Sequence, residues 1–142
     1  MKNLCPLFLV VSLGLFACQA NQVSLPTNED PLSGTWLGDF GDGYFDRNTI
    51  RLELEWNGKN LTGMVKPGDP RGRMYRNFTP FAIQKASFES QTGTIKFEAL
   101  FEPRGRAYLI EGKVAGDTMK GTWDRPTDLR SGDFRLTRQE TK

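Results

Sequence analysis

The chain has 142 residues, with 19 Lys and Arg against 17 Asp and Glu, so its formal net charge is only +2. That length suits one domain with a single core, and such a balance of charge does not indicate nucleic acid as a partner. The sequence has no histidine, the commonest general base and transition-metal ligand, and no hydrolase, phosphate-loop or dinucleotide motif. We therefore expect no enzymatic activity, no metal site and no cofactor.

The N-terminus has the pattern of an export signal. Lys2 precedes an apolar run from Leu4 to Phe16 that is too short to span a bilayer. The run closes in Leu15-Phe16-Ala17-Cys18, which resembles the lipobox of bacterial lipoprotein signals. This resemblance implies a lipid on Cys18 and an envelope-anchored lipoprotein that faces the periplasm. The alternative is an ordinary secretory signal cut after Ala20, which implies a secreted protein.

The rest of the chain divides by composition. Residues 1–17 are the predicted signal peptide, and residues 18–31 are polar and predict a flexible tether. Residues 32–139 are predicted to form the folded domain, followed by a tail at 140–142. Because Cys5 leaves with the signal, the mature chain keeps at most one cysteine and no internal disulfide is possible.

Period-2 alternation of apolar and polar residues recurs through the domain and predicts half-buried antiparallel strands. In one such run Ile50, Leu52 and Leu54 alternate with Arg51 and Glu53. The eight predicted strands are 33–40, 49–56, 59–65, 80–88, 94–101, 107–114, 118–124 and 132–138.

Turn signals separate these strands. Asn57-Gly58 predicts a hairpin with a type I′ turn, in which both central residues have positive φ, and Gly116-Asp117 predicts a hairpin in the same manner. In the fourth strand Phe81 shares a face with Ile83 but not with Phe88, which predicts a bulge or a shorter strand.

Residues 57–65 align without gaps onto residues 115–123. The turn glycines coincide, and a mid-strand glycine recurs at Gly63 and Gly121. Inward glycines let a strongly curved sheet bend without crowding its interior. Since closure also removes exposed edges, a closed or nearly closed barrel is expected.

Gly34-Thr35-Trp36 in the first strand and Arg138 at the end of the last resemble the structural signature of the calycins, the group of lipocalins, fatty-acid-binding proteins and avidins. The resemblance implies an all-β, up-and-down antiparallel β-barrel of about eight strands. It also implies that Trp36 packs near the closed end beneath Arg138. An architecture of this kind does not fix a function.

The longer connections follow the odd-numbered strands and therefore share one end, the mouth. Eight of the eleven arginines lie in these connections: Arg47, Arg71, Arg73, Arg76, Arg104, Arg106, Arg125 and Arg130. Arginine's planar fork suits carboxylate, phosphate or sulfate groups, which predicts an anion-attracting rim. The alternative is neutralisation in exposed ion pairs by nearby acidic residues, namely Asp42, Asp46, Asp69, Glu102, Asp124 and Asp128.

The candidate ligand site combines charged and aromatic residues at this end. The anion contacts are Arg71, Arg73, Arg104 and Arg106, and the apolar contacts behind them are Tyr75, Phe101, Tyr108 and Trp123. In a small barrel, inward aromatics either line a cavity or fill the core. Tyr44, Phe45, Met74 and Tyr75 in the mouth loops either cap a pocket, touch a partner or fold back as a plug.

Two function classes remain. The first is an envelope-anchored lipoprotein whose barrel, a monomer, binds a small amphipathic or anionic ligand at its open end. The second is a solid-cored barrel that acts as an interaction module for a protein or an anionic polymer of the envelope.

Replacing Cys18 by Ser tests the anchor. The lipobox pattern predicts that Cys18→Ser releases the protein from membranes or stalls its processing, because only a thiol accepts the lipid. The measurement is membrane fractionation in a bacterial host, together with metabolic labelling by a fatty-acid probe. Unchanged retention of the variant contradicts the lipid anchor.

Overall fold

The computed structural model describes residues 30–69, 78–101 and 105–140. In this part of the chain no helix is long and apolar enough to span a bilayer. The strands are β1 (Gly34–Gly41), β2 (Arg47–Trp56), β3 (Leu61–Pro67), β4 (Phe81–Glu89), β5 (Thr94–Phe101), β6 (Arg106–Ala115), β7 (Thr118–Arg125) and β8 (Arg130–Arg138).

The eight strands form one closed antiparallel barrel in chain order, because β1 pairs with both β2 and β8. This confirms the predicted all-β, up-and-down barrel. Each predicted strand is present, with ends displaced by at most two residues. The pairing of β3 with β4 is the shortest, since only Met64↔Ala82 and Val65↔Phe81 are in register.

Alternation builds the interior as the sequence predicts. On β2, Leu52 and Leu54 are buried, whereas Glu53 between them points outward and forms an ion pair with Lys66 of β3. Burying a leucine side chain contributes roughly 1.5–3 kcal/mol, so a one-residue slip that reversed the faces would lose most of the core energy. The apolar pattern therefore sets the register.

The irregularity predicted in the fourth strand is a β-bulge. The register of β4 on β5 shifts between Gln84 and Ser87, and Lys85 in the gap has φ of 47°. The extra residue reverses the alternation, so Ile83 and Phe88 both lie in the core although an odd number of positions separates them.

The hairpins are present, but the predicted turn type is wrong at Asn57. Trp56 pairs with Leu61, so the loop has four residues, and of these only Gly58 has positive φ. The Asn57 side chain accepts hydrogen bonds from the backbone N–H groups of Lys59 (3.1 Å) and Asn60 (2.7 Å). This local side-chain bonding favours the wider turn over type I′.

The second turn of the sequence repeat has two residues, and its inward glycine makes room for a ring. Ala115 pairs with Thr118, and Gly116 has φ of 57°. Further along, Gly112 and Gly121 are paired opposite each other, and a Cβ on Gly121 would lie 2.7 Å from the Phe134 ring. The glycine pair therefore leaves the space that Phe134 fills.

The closed end, or base, is built around Trp36. Its ring is fully buried, and its indole N–H donates a 2.9 Å hydrogen bond to the carbonyl oxygen of Leu32. The Arg138 guanidinium lies over the ring with its Cζ 4.7 Å from the centroid. Such a cation–π contact contributes about 0.5–2 kcal/mol, depending on desolvation.

Arg138 also holds the chain that enters β1. Its guanidinium donates to the carbonyl oxygens of Asp30 (3.2 Å), Pro31 and Ser33 (3.2 Å). The segment held against the barrel thus includes Asp30 and Pro31, which the sequence assigned to the flexible tether. The sequence around Asp30 could not indicate this contact, because Arg138 lies more than a hundred residues further along the chain.

A double-mutant cycle tests the base. Trp36→Ala should cost roughly 3–5 kcal/mol as a large core truncation, and Arg138→Ala about 1.5–3 kcal/mol through lost charged hydrogen bonds. Because the two side chains touch, the double variant should lose less than the sum of the single losses. Urea denaturation measures the free energies of unfolding, and strictly additive losses would contradict the pairing.

Candidate functional site

The open half of the barrel contains a cavity of about 450 Å³. Its deep wall is apolar and includes Leu52, Val65, Phe97, Ala99 and Leu136. Below these residues the larger core side chains, such as Trp36 and Met119, close the base. The alternative of a completely filled interior therefore does not hold for the described residues.

Two aromatic groups stand above the apolar wall. Trp123 packs against Phe40, with ring centroids 6.2 Å apart, and against Tyr108 at 5.8 Å. In the second group, Phe101 of β5 packs against Phe78 and Phe81, each at 6.0 Å. All six residues line the cavity rather than fill it.

Arg125 is a buried cation beside the cavity, with only 6% of its surface exposed. Its guanidinium forms two 2.6 Å hydrogen bonds with the Asp128 carboxylate and donates a third, of 2.8 Å, to the Tyr108 hydroxyl oxygen. The hydrogen bonds from Arg125 hold the pKa of Asp128 below its ordinary value, and the bond to Asp128 raises the pKa of Arg125. Both groups are charged at neutral pH, and Tyr108 keeps its own O–H to donate.

A second ion pair joins two mouth loops. Arg130 contacts Asp42 and lies 3.5 Å from Asp46, both in the loop between β1 and β2. The hydrogen bond from Arg130 lowers the pKa of Asp42. A third mouth arginine, Arg47, pairs with Asp39 and Asp133 and does not line the cavity. Neutralisation by carboxylates therefore applies to Arg47, Arg125 and Arg130.

Arg106 differs from these three arginines. It begins β6, is half-buried and lines the cavity. Within residues 30–69, 78–101 and 105–140 its guanidinium has no hydrogen bond and no ion pair, although it lies near enough to Asp128 to lower the pKa of that carboxyl. It is thus a cation at the cavity entrance whose donors have no acceptor among the described residues.

Trp123 carries a buried polar group. The ring is 5% exposed, and its buried indole Nε1 has no hydrogen-bond partner in the described part of the chain. A buried N–H without an acceptor costs roughly 1–3 kcal/mol of stability.

The structure therefore brings Arg106, Phe101, Tyr108 and Trp123 of the predicted site together around one cavity. The predicted contacts Arg71, Arg73, Tyr75 and Arg104 lie outside the described residues, as do Met74 and Cys18. Tyr44 and Phe45 are 86% and 96% exposed, so the hypothesis that they fold back as a plug is wrong.

Sequence reasoning missed Arg125 as a cavity residue and assigned it to a loop. It is the last residue of β7 and points inward on the same face as Trp123. Extending the alternation of that strand by one residue would have found it. Phe78 and Phe81 were missed because their contact with Phe101 crosses between strands and has no local signal.

The chain matches no protein-family model and no curated protein. Among solved structures it is similar to a redesigned β-barrel, with 13% identity, a TM-score of 0.59, and coverage of 78% of this chain and 93% of that one. It is also similar to fatty-acid-binding protein 1 of Echinococcus granulosus, with 13% identity, a TM-score of 0.45, and coverage of 78% and 98%. At this identity the likeness shows the barrel fold alone.

Asp128→Asn tests the ion pair between Arg125 and Asp128 through its pH dependence. The folded-state pKa of Asp128 lies below the ordinary 3.8, so its stabilisation is present above that value and is lost as pH falls through the lowered pKa. The variant should be less stable than the parent chain at neutral pH, and the two should converge in strong acid.

Urea denaturation at a series of pH values from neutral to strongly acidic measures the free energy of unfolding of the parent chain and the variant. Asp124→Asn is the matched control, because Asp124 is exposed on β7 and forms no ion pair in the described structure. A stability difference for Asp128→Asn that stays constant with pH would contradict the charged pair.

Proposed function

We propose that this barrel binds a small amphipathic ligand, with its apolar part in the cavity and its anionic group at Arg106. The observation that carries the proposal is that Arg106, at the entrance of a cavity with an apolar deep wall, has no ion pair within the described residues. A half-buried guanidinium whose donors have no acceptor in the described structure gains charged hydrogen bonds when an anion joins it. An incoming carboxylate, phosphate or sulfate supplies that partner.

The size and polarity of the cavity support a ligand of this kind. Its volume of about 450 Å³ lies within the usual range for small-molecule sites. Among the described lining residues, the charged side chains and the Tyr108 hydroxyl lie toward the mouth, and the apolar wall is deeper. A ligand with one anionic end and an apolar body matches this order.

The proposal includes location in the envelope as a lipoprotein. The described chain enters at the base, where Asp30 and Pro31 contact Arg138, and the cavity opens at the other end. A lipid on Cys18 would therefore tether the barrel by its base, the end opposite the mouth. Native mass spectrometry of protein purified from its own host would identify a co-purifying molecule.

Arg106→Gln tests the anion contact with two fluorescent probes. Anilinonaphthalene sulfonate carries an anion, whereas N-phenyl-1-naphthylamine is a neutral amphiphile of similar shape. The variant should bind the sulfonate about tenfold more weakly or worse, since a charged hydrogen bond contributes roughly 1.5–3 kcal/mol. Binding of the neutral amine should change little, because its contacts are apolar.

Arg135→Gln is the matched control, since Arg135 loses the same charge on the outer face of β8. Titration of probe fluorescence measures both affinities, and thermal unfolding checks the fold. Equal weakening by the two variants would mean that Arg106 acts only through the net charge of the protein and does not contact the anion. If the unsubstituted chain binds neither probe, the interaction-module alternative replaces this proposal.

A further inference from the structure

Three large apolar side chains at the open end are almost fully exposed. Tyr44 is 86%, Phe45 is 96% and Leu129 is 93% exposed, whereas the next most exposed large hydrophobic residue described, Leu109, is 42% exposed. Isolated surface hydrophobics are ordinary, but a group at one end of a barrel indicates an interaction surface. We call Tyr44, Phe45 and Leu129 the apolar tip.

Local structure holds these side chains away from the barrel. Tyr44 and Phe45 pack edge to face on each other, with ring centroids 5.0 Å apart, rather than on the core. Leu129 has φ of 55°, a conformation that costs a non-glycine residue about 1–2 kcal/mol. Strain of this kind that places an apolar side chain in water is associated with function more than with stability.

The two loops that carry the tip are joined at the cavity rim. Arg130, next to Leu129, contacts Asp42 and Asp46, which flank Tyr44 and Phe45 in sequence. Arg130, Asp42 and Asp46 all line the cavity. The tip therefore belongs to the same rim through which a ligand would enter.

We propose that the apolar tip docks the mouth of the barrel onto a lipid surface. Three side chains of this size expose roughly 500 Å², less than the approximately 800 Å² per partner that a stable protein interface buries. A second copy of the chain or a tightly bound protein therefore fits poorly. An interfacial layer of lipid needs no matching shape and accepts such a small patch.

The charges around the tip favour the same partner. Aromatic residues are enriched at the boundary between headgroups and acyl chains. Of the two carboxylates beside the tip, Asp42 forms an ion pair with Arg130 and Asp46 lies 3.5 Å from the same guanidinium, which lowers the cost of bringing them close to a low-dielectric surface. Arg106 adds a positive charge without a partner in the described structure, which suits anionic headgroups. This docking does not depend on a ligand in the cavity.

Tryptophan quenching by brominated lipid tests the proposal on the full chain. Phe45→Trp places a reporter in the tip, and Leu109→Trp places one on the exposed outer wall of β6 as the matched control. With phosphatidylcholine vesicles that contain phosphatidylglycerol and dibrominated acyl chains, the emission added by Phe45→Trp should shift to the blue and be quenched. The emission added by Leu109→Trp should stay that of a solvent-exposed ring.

The readout is local, so attachment of the chain by its N-terminus cannot imitate it. Quenching at neither position, or equal quenching at both, overturns the proposal. Sedimentation without lipid is the second test. It compares the unsubstituted chain with a variant in which Tyr44, Phe45 and Leu129 are all replaced by Ser. A concentration-dependent dimer that this variant abolishes would assign the tip to self-association instead.

Discussion

The contact between Arg138 and Trp36 decides which end of the barrel is closed. It joins the last strand to the first, and the same guanidinium holds the chain that enters β1. With Leu32 and Trp36 fully buried beneath the sheet, the base needs no further cover. The half of the barrel near the mouth can therefore contain a cavity, because the closed end is stable without side chains that fill the mouth.

The strands were predictable because each is specified locally. On β2, residues two apart share an environment, so Leu52 and Leu54 identify the buried face without any knowledge of the neighbours. The bulge in β4 was visible for the same reason, as a break in that alternation between Ile83 and Phe88. The turn type at Asn57 was not predictable. The Asn57 side chain accepts hydrogen bonds from two backbone N–H groups, and the Asn-Gly pair does not indicate whether it will do so.

The cavity and its charges were predictable only in part. Alternation indicates that Tyr108 and Trp123 point inward, but which rings meet depends on the register between neighbouring strands. The pairing of Arg130 with Asp42 spans 88 residues of sequence, so the abundance of arginine at the mouth does not reveal which arginines are neutralised. Arg106 begins β6 and Arg125 ends β7 at the same rim. Only the folded arrangement shows that Arg125 has a carboxylate partner and that Arg106 has none among the described residues.

The same ion pairs that neutralise the rim also give it its shape. Arg125 ties Asp128 to Tyr108 behind the cavity, while Arg130 ties the loop of Tyr44 and Phe45 to the loop of Leu129. Among the described rim residues, Arg106 is the cation without an ion pair, whereas Arg130 is shared by two carboxylates. An anion that enters the cavity therefore finds one unpaired guanidinium among these residues, and an apolar surface that reaches the tip meets carboxylates that already contact Arg130. The two proposed contacts of the mouth thus depend on one arrangement of arginines.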